Sequence, residues 1–220
     1  MSIEERIAAR AALEIRDGQI VNLGIGIPNL ISRFLPMEKK VMIHSENGVL
    51  GMGDPSKRGE ENRNLIDAGG AYMTVVPGAS FFDSALSFSL VRGGRLDIAF
   101  LGALEVSEKG DLANWLIPGK FAPGIGGGME LAQKAKRVIV TTTHTTPRGK
   151  SKILRECTLP LTARTCVNMI ITDLAVMEIR NQRLFLLQLM SGTTMEEVVQ
   201  KTEAALVVPE SVPVWHSSEF

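Results

Sequence analysis

The sequence predicts an α/β fold: a mixed, mainly parallel sheet flanked by helices, with an antiparallel hairpin near the C-terminus. Three observations carry this expectation. Short apolar runs alternate with segments of helical periodicity along most of the chain. The helical segments are bounded by capping residues or by glycine and proline. With 220 residues of which 45% are hydrophobic, the chain buries a substantial core within one domain.

The elements follow in order. Ser2 and Glu5 form a capping-box pattern, and Ile7, Ala8, Ala11, Ala12 and Ile15 recur on one helical face until Asp17-Gly18. A short strand, Ile20 to Leu23, leads through Gly24-Ile25-Gly26-Ile27 to Pro28, which suits the first turn of a helix ending near Pro36. Val41 to His44 is a second strand, and a polar loop surrounds Asp54 to Arg63. Tyr72 to Val76 reads as a strand. The Ser80-to-Asp83 pattern is expected to cap a helix that stops at Gly93-Gly94. Leu96 to Leu101 is again strand. The glycine-rich segment Gly119 to Gly128 feeds a helix from about Met129 to Lys136, and Arg137 to Thr142 is the next strand. Leu174 to Ile179 and Leu184 to Leu189 flank Asn181-Gln182 as a hairpin at the sheet's edge. Thr194 and Glu197 cap one last helix. With no internal repeat or linker, residues 1–220 are expected to form a single domain.

Composition narrows the function. Lysine plus arginine and aspartate plus glutamate number 24 each, so the chain has no long-range basic field to attract nucleic acid. The N-terminus carries Glu4 and Glu5 where a secretory signal needs a basic end and an apolar core, which suggests a cytoplasmic protein. The stretch poorest in charge, Ala71 to Val91, holds Pro77, Gly78 and Asp83, which a membrane span would hardly contain. Cys157 and Cys166 lie outside any CxxC pair, and His44, His144 and His216 form no HExxH or similar set, so no metal site is expected. Free, inert thiols and structural or surface histidines are the expectation.

Three segments remain as candidate chemistry. Ser45-Glu46-Asn47-Gly48 follows a strand, where open α/β sheets bind ligands, but Asn-Gly is also the commonest two-residue hairpin turn. Gly124-Ile125-Gly126-Gly127-Gly128-Met129 precedes a helix, and consecutive glycines let backbone N–H groups approach an anion. A dinucleotide fingerprint would need glycine at position 129, where Met129 stands. Gly24 to Pro28 is a shorter loop that also lacks the third glycine. Gly149-Lys150-Ser151 ends like a phosphate-binding loop, yet His144 occupies the place of that motif's first glycine. No G-x-S-x-G elbow supports a serine nucleophile, and Ser80 and Ser84 are assigned to helix capping.

Taken together, Asn22 to Pro28, Ser45 to Gly53 and Gly126 to Leu131 resemble the family I CoA transferases, specifically the B, or β, subunit of the 3-oxoacid type. The likeness extends through Pro77-Gly78-Ala79-Ser80, Arg92-Gly93-Gly94, Asn114 to Lys120 and Thr172 to Val176, and ends near Ala205. The chain departs from the family pattern at Gly128, where alanine is frequent, at Glu130 in place of aspartate, and at Thr142-Thr143 in place of Met-Glu. None of these removes a catalytic group.

The resemblance implies a CoA-transferase-like fold, related to the ribose-phosphate isomerase-like folds, and Glu46 as the nucleophile. It implies that Gly124, Gly126 and Gly127 serve the reaction oxyanion and CoA through their N–H groups. Asn22, Gly24 and Gly26 would line the same cleft, with Asn47 and Gly48 of the motif itself. CoA would be a substrate and covalent intermediate, with no tightly bound cofactor. The partners would be an A, or α, subunit in a heterodimer or heterotetramer, an acyl-CoA and a carboxylic acid. A carboxylate is ionised at neutral pH and needs no separate base, and the turnover would be ping-pong. An acyl-CoA hydrolase, and a non-catalytic binding module on the same fold, are the rival readings.

Overall fold

The computed structural model describes residues 1–36, 38–120 and 124–217. Helix α1, Ile3–Ala12, opens with the expected capping box: the Ser2 backbone N–H donates to Glu5 Oε2 at 2.8 Å, and the Glu5 N–H donates to Ser2 Oγ at 3.2 Å. Regular helix ends at Ala12, short of Gly18, but the apolar face continues to the buried Ile15. Glu14 then joins α1 to the sheet, accepting from Arg10 and Arg137 at 2.8 Å each. Burial works to raise its pKa, and the two guanidinium groups outweigh it and hold the carboxyl below its usual range.

The centre of the molecule is a row of parallel strands: β1 (Ile20–Leu23), β2 (Met42–Ser45), β5 (Ile98–Leu101), β8 (Arg137–Thr141) and β10 (Met169–Ile171). β2 continues antiparallel into β3 (Val49–Pro55) and β4 (Met73–Phe81). At the other end β10 pairs with the hairpin β11 (Ala175–Arg180) and β12 (Arg183–Met190). Asn181 and Gln182 both take positive φ, 49° and 58°, as a tight hairpin turn requires. The hairpin is not itself the edge: β12 is flanked by β13 (Leu206–Val207) and β14 (Val214–Trp215), so the tail completes the sheet.

Both faces of the central strands are buried, which explains their nearly continuous apolar character. Ile98 and Phe100 belong to one core cluster with α1, Ile31 and Trp215, whereas Ala99 and Leu101 belong to a second with Leu131, Val138 and Val198. Over the second face lie α2 (Ser84–Arg92), α3 (Gly128–Lys134) and α4 (Met195–Lys201).

Several expectations are corrected. The segment after Pro28 is a 3₁₀ helix, Ile27–Phe34: the Asn29 N–H donates to the Gly26 carbonyl at 3.1 Å and the Leu35 N–H to the Ser32 carbonyl at 3.3 Å, both three residues away. Asp83, not Ser80, caps α2, accepting from the Leu86 N–H at 2.8 Å, while Ser80 belongs to β4. A separate sheet of β6 (Glu105–Ser107), β7 (Leu112–Ala113) and β9 (Ile153–Leu154) is built from strands too short for periodicity to reveal. Part of the glycine-rich segment, Phe121 to Pro123, lies outside the described residues.

His144 is structural. Its ring is fully buried, with Nδ1 and Nε2 each 3.0 Å from a threonine hydroxyl, Thr172 and Thr202. Burial lowers its pKa to about 4. The unfolded chain therefore takes up a proton near the ordinary histidine value while the folded protein does not, so stability falls as pH drops from about 6.5 to 4. Each factor of ten in proton affinity is worth about 1.4 kcal/mol, and the full window contributes roughly 3 kcal/mol. Urea unfolding midpoints followed from neutral pH downward should decline over that range, with a shallower decline in His144→Gln; identical slopes would exclude His144 as the source. The half-buried Cys157 and Cys166 are pushed up to about 12 by burial first, and both are free.

Candidate active site

The chain order of the central strands reverses at β1: β2 lies on one side of it and β5 on the other. Ligand crevices form at the carboxyl ends of strands at such a reversal. Gly24, Glu46 and Gly102 are the first residues beyond β1, β2 and β5, and all three line one cavity of about 780 Å³. The remaining wall comes from Gly124 to Gly128 at the start of α3, from Ser84 and Phe88 of α2, and from Asn114 and Trp115.

Glu46 reaches this wall because of the turn that carries it. Ser45 pairs with Val49, so Glu46, Asn47 and Gly48 form a three-residue hairpin loop rather than a two-residue Asn-Gly turn. Gly48 closes it at φ 121°, and a Cβ there would stand 1.9 Å from the Phe82 carbonyl oxygen, so only glycine fits. The loop is pinned from outside as well. Asn47 Nδ2 donates to the Ile66 carbonyl at 2.8 Å, and Ser45 Oγ accepts from the Ala68 N–H at 3.0 Å.

Behind the loop, Asn22 of β1 is wholly buried, and its Nδ2 donates to Glu46 Oε2 at 3.0 Å and to the His44 carbonyl at 3.1 Å. This leaves the second carboxylate oxygen for chemistry. Across the cavity stands Gly127, where an added Cβ would lie 3.2 Å from Glu46 Cγ and 2.9 Å from Phe88 Cζ. Helix α3, which the glycine loop opens, is tied to α2 by the Arg92–Glu130 ion pair at 2.7 Å.

The structure thus brings Glu46, Asn47, Gly24, Gly124, Gly126 and Gly127 onto one cavity, with Asn22 reaching it through Glu46. Gly26, at φ 88° before the 3₁₀ helix, and Gly48 shape the flanking turns instead. The sequence reading assigned no role to Phe88, Asn114 or Trp115, and it assigned Ser84 to capping. It took His44 as structural or surface, and the ring is buried, within the hydrogen-bonded group behind the carboxylate.

Comparison with known proteins bears on this geometry. The family model described as coenzyme A transferase matches residues 4–201. The β subunit of a probable coenzyme A transferase of Bacillus subtilis (strain 168) is 52% identical over 204 residues, covering 93% of this chain and 94% of the relative. The B, or β, subunit of the succinyl-CoA:3-ketoacid coenzyme A transferase of Helicobacter pylori (strain ATCC 700392 / 26695) is 47% identical, covering 94% and 99%. The acyl-CoA transferase of Escherichia coli O157:H7, solved as a thioester complex with CoA, superposes with a TM-score of 0.75 at 20% identity, covering 98% of this chain and 43% of that longer one. At that identity the likeness speaks to the fold alone. The family match over nearly the whole chain and the two subunit relatives go further, and on them the chain belongs to the coenzyme A transferase family.

Proposed function

We propose that this chain is the glutamate-bearing subunit of an enzyme that moves CoA between an acyl-CoA and a short-chain or 3-oxo carboxylic acid, through a γ-glutamyl-CoA thioester on Glu46. The observation that carries this reading is the carboxylate itself: one oxygen held by Asn22, the side chain packed towards Gly127, on the wall of a cavity at the reversal of the sheet.

The free oxygen attacks the acyl-CoA carbonyl. The tetrahedral intermediate expels CoA thiolate and leaves an acyl-glutamyl anhydride. The thiolate then attacks the glutamyl carbonyl, the first acid departs as its carboxylate, and the thioester remains. An incoming carboxylate attacks that carbonyl in turn, expels the thiolate, and the thiolate takes the new acyl group as Glu46 is released. No net proton moves, so the site needs no general base, only donors for each oxyanion. The Gly124, Gly126 and Gly127 N–H groups are suited to that task because the fold fixes them in place. CoA held along the cavity supplies binding energy remote from the reacting carbon.

Exchange of CoA between succinyl-CoA and acetoacetate or acetate, measured with the assembled enzyme, tests the reading. Parallel double-reciprocal lines are expected. Continued turnover of acyl-CoA, well beyond one equivalent per site, with no acceptor present would instead return the hydrolase reading.

The subunit names of the relatives support an A, or α, partner that completes the enzyme. The purified chain alone is expected to show little or no exchange, and mixing it with the α subunit to restore turnover. Full ping-pong activity from the isolated chain would remove the partner from the proposal.

A further inference from the structure

The geometry points to His44 as a positioning residue that fixes the amide of Asn22, and through it one oxygen of Glu46, and that does so only as the neutral imidazole. The inference rests on Glu46 being the nucleophile. It begins from burial: Asn22 and Ser87 are 0% exposed and His44 is 3% exposed, so their polar atoms depend on partners within the protein, and Asn22 Oδ1 is the one of them that has none among the described residues.

An ionised carboxylate only accepts hydrogen bonds, so the Asn22 atom 3.0 Å from Glu46 Oε2 is the amide nitrogen. That nitrogen has one further hydrogen. It is directed at His44, whose carbonyl oxygen lies 3.1 Å away and whose Nδ1 lies 3.4 Å away. The hydrogen is shared between the carbonyl and the more distant Nδ1, so Nδ1 faces a donor and is assigned as the bare nitrogen. The ring proton sits on Nε2, 2.9 Å from Ser87 Oγ, and Phe82 stacks on the ring at 6.4 Å between centroids.

Protonation of His44 would place a second N–H on Nδ1, donor against donor with Asn22. Turning the amide over does not relieve this, because Asn22 Oδ1 would then face the carboxylate, acceptor against acceptor. The unturned amide is pushed from its place beside Glu46 by the new N–H, and the turned amide offers Glu46 no donor, so either arrangement weakens the contact that holds one oxygen back and aims the other. Such a loss acts on the reacting geometry and not on CoA binding, so it lowers kcat and leaves KM nearly unchanged.

The charges around the ring are few. Glu46 follows on the same hairpin, and the exposed Arg95 borders a small apolar cavity of about 210 Å³ that His44 also lines. Among the described residues the ring meets Asn22 of β1, Ser87 of α2 and the Phe82 ring, and Leu50 of β3 shares the small cavity with it; none of these is charged. Burial lowers the His44 pKa, and the negative charge of Glu46, which raises it, offsets only part of that. The neutral form therefore prevails at neutral pH, and the acid limb falls below the ordinary histidine value of about 6.5.

The test uses the assembled two-subunit enzyme. Between about pH 5 and 8, where histidine titrates, wild-type kcat should show a one-proton acid limb at nearly constant KM. His44→Asn, whose Oδ1 branches from Cγ as Nδ1 does and offers an acceptor without a titrating proton, should keep turnover within about threefold and lose that limb; His44→Phe should lose about tenfold in kcat. An unchanged limb in His44→Asn, or wild-type kcat in His44→Phe, overturns the inference. Nitrogen-15 spectra of the enzyme with this chain labelled at its three histidines, and His44 assigned by its absence in the asparagine variant, should show Nε2 protonated and Nδ1 bare. The opposite tautomer also overturns it. Those spectra need no turnover, so failure of the nucleophile reading and failure of the His44 assignment are seen separately.

Discussion

Incubation of the assembled enzyme with acyl-CoA, in the absence of an acceptor acid, is expected to place CoA on the side-chain carbonyl of Glu46. Borohydride should reduce the resulting thioester to the alcohol and inactivate the enzyme irreversibly, and peptide mass spectrometry should locate the change between Ser45 and Gly48. The carboxylate is held by Asn22 on the wall of the cavity, where a bound CoA would cover the glutamyl thioester against hydrolysis until an acid arrives. Glu46→Gln removes the nucleophile and should reduce exchange by on the order of 10⁴-fold or more. Glu46→Asp should fail comparably: the Asn22 contact and the Gly127 wall define where the carboxylate must lie, and one methylene less withdraws it from both. Modification at another residue, or a glutamine variant with wild-type exchange and no reversion to glutamate, would remove Glu46 from the chemistry.

What was legible in the sequence follows from how locally each feature is determined. The capping box at Ser2, the N-cap at Thr194, the Asn181-Gln182 turn and four of the five central parallel strands depend on residues a few positions apart and stand where expected, whereas β10 was not expected. β4 was read only in part, as Tyr72 to Val76. It continues to Phe81 through Pro77 and Gly78, because a nine-residue strand with register shifts against β3 accommodates both residues where a regular ladder would not. The short strands β6, β7 and β9 owe their form to partners more than forty residues away in the β6–β9 pair, a contact that no window of sequence contains.

The site divides along the same line. Locally, Ser45 to Gly48 argued for a turn and the family resemblance argued for a nucleophile; a three-residue turn carrying Glu46 at its first position reconciles the two. Asn22 offered its own signal, a polar side chain in an otherwise apolar strand, Ile20 to Leu23, whose fully buried place demands a partner. No comparable signal marked His44 or Ser87. One is an isolated histidine on a strand, the other a serine within a helix, and only the packing of α2 over β2 brings their polar atoms to 2.9 Å.

Gly127 supports the second large effect. Its backbone is right-handed helical, φ −76° and ψ −6°, a conformation open to any residue, so glycine is required there by space rather than by backbone freedom. A valine would press on Glu46 Cγ and on the Phe88 ring, and under the proposed mechanism it would intrude on the space for the tetrahedral oxyanion. Gly127→Val is therefore expected to lower kcat by about 10² to 10³-fold, the usual consequence of losing one preorganised oxyanion donor, while thermal unfolding stays close to wild type. Gly127→Ala separates the two contacts. Its Cβ still meets Phe88 Cζ at 2.9 Å, the far end of a side chain that leucine would shorten. If the harm comes only from that clash, Phe88→Leu in the alanine background restores turnover. If it comes from displacing the Glu46 carboxylate, the double variant stays impaired although its core is relieved, and that is the expected result. Wild-type kcat in Gly127→Val would remove the glycine loop from the mechanism.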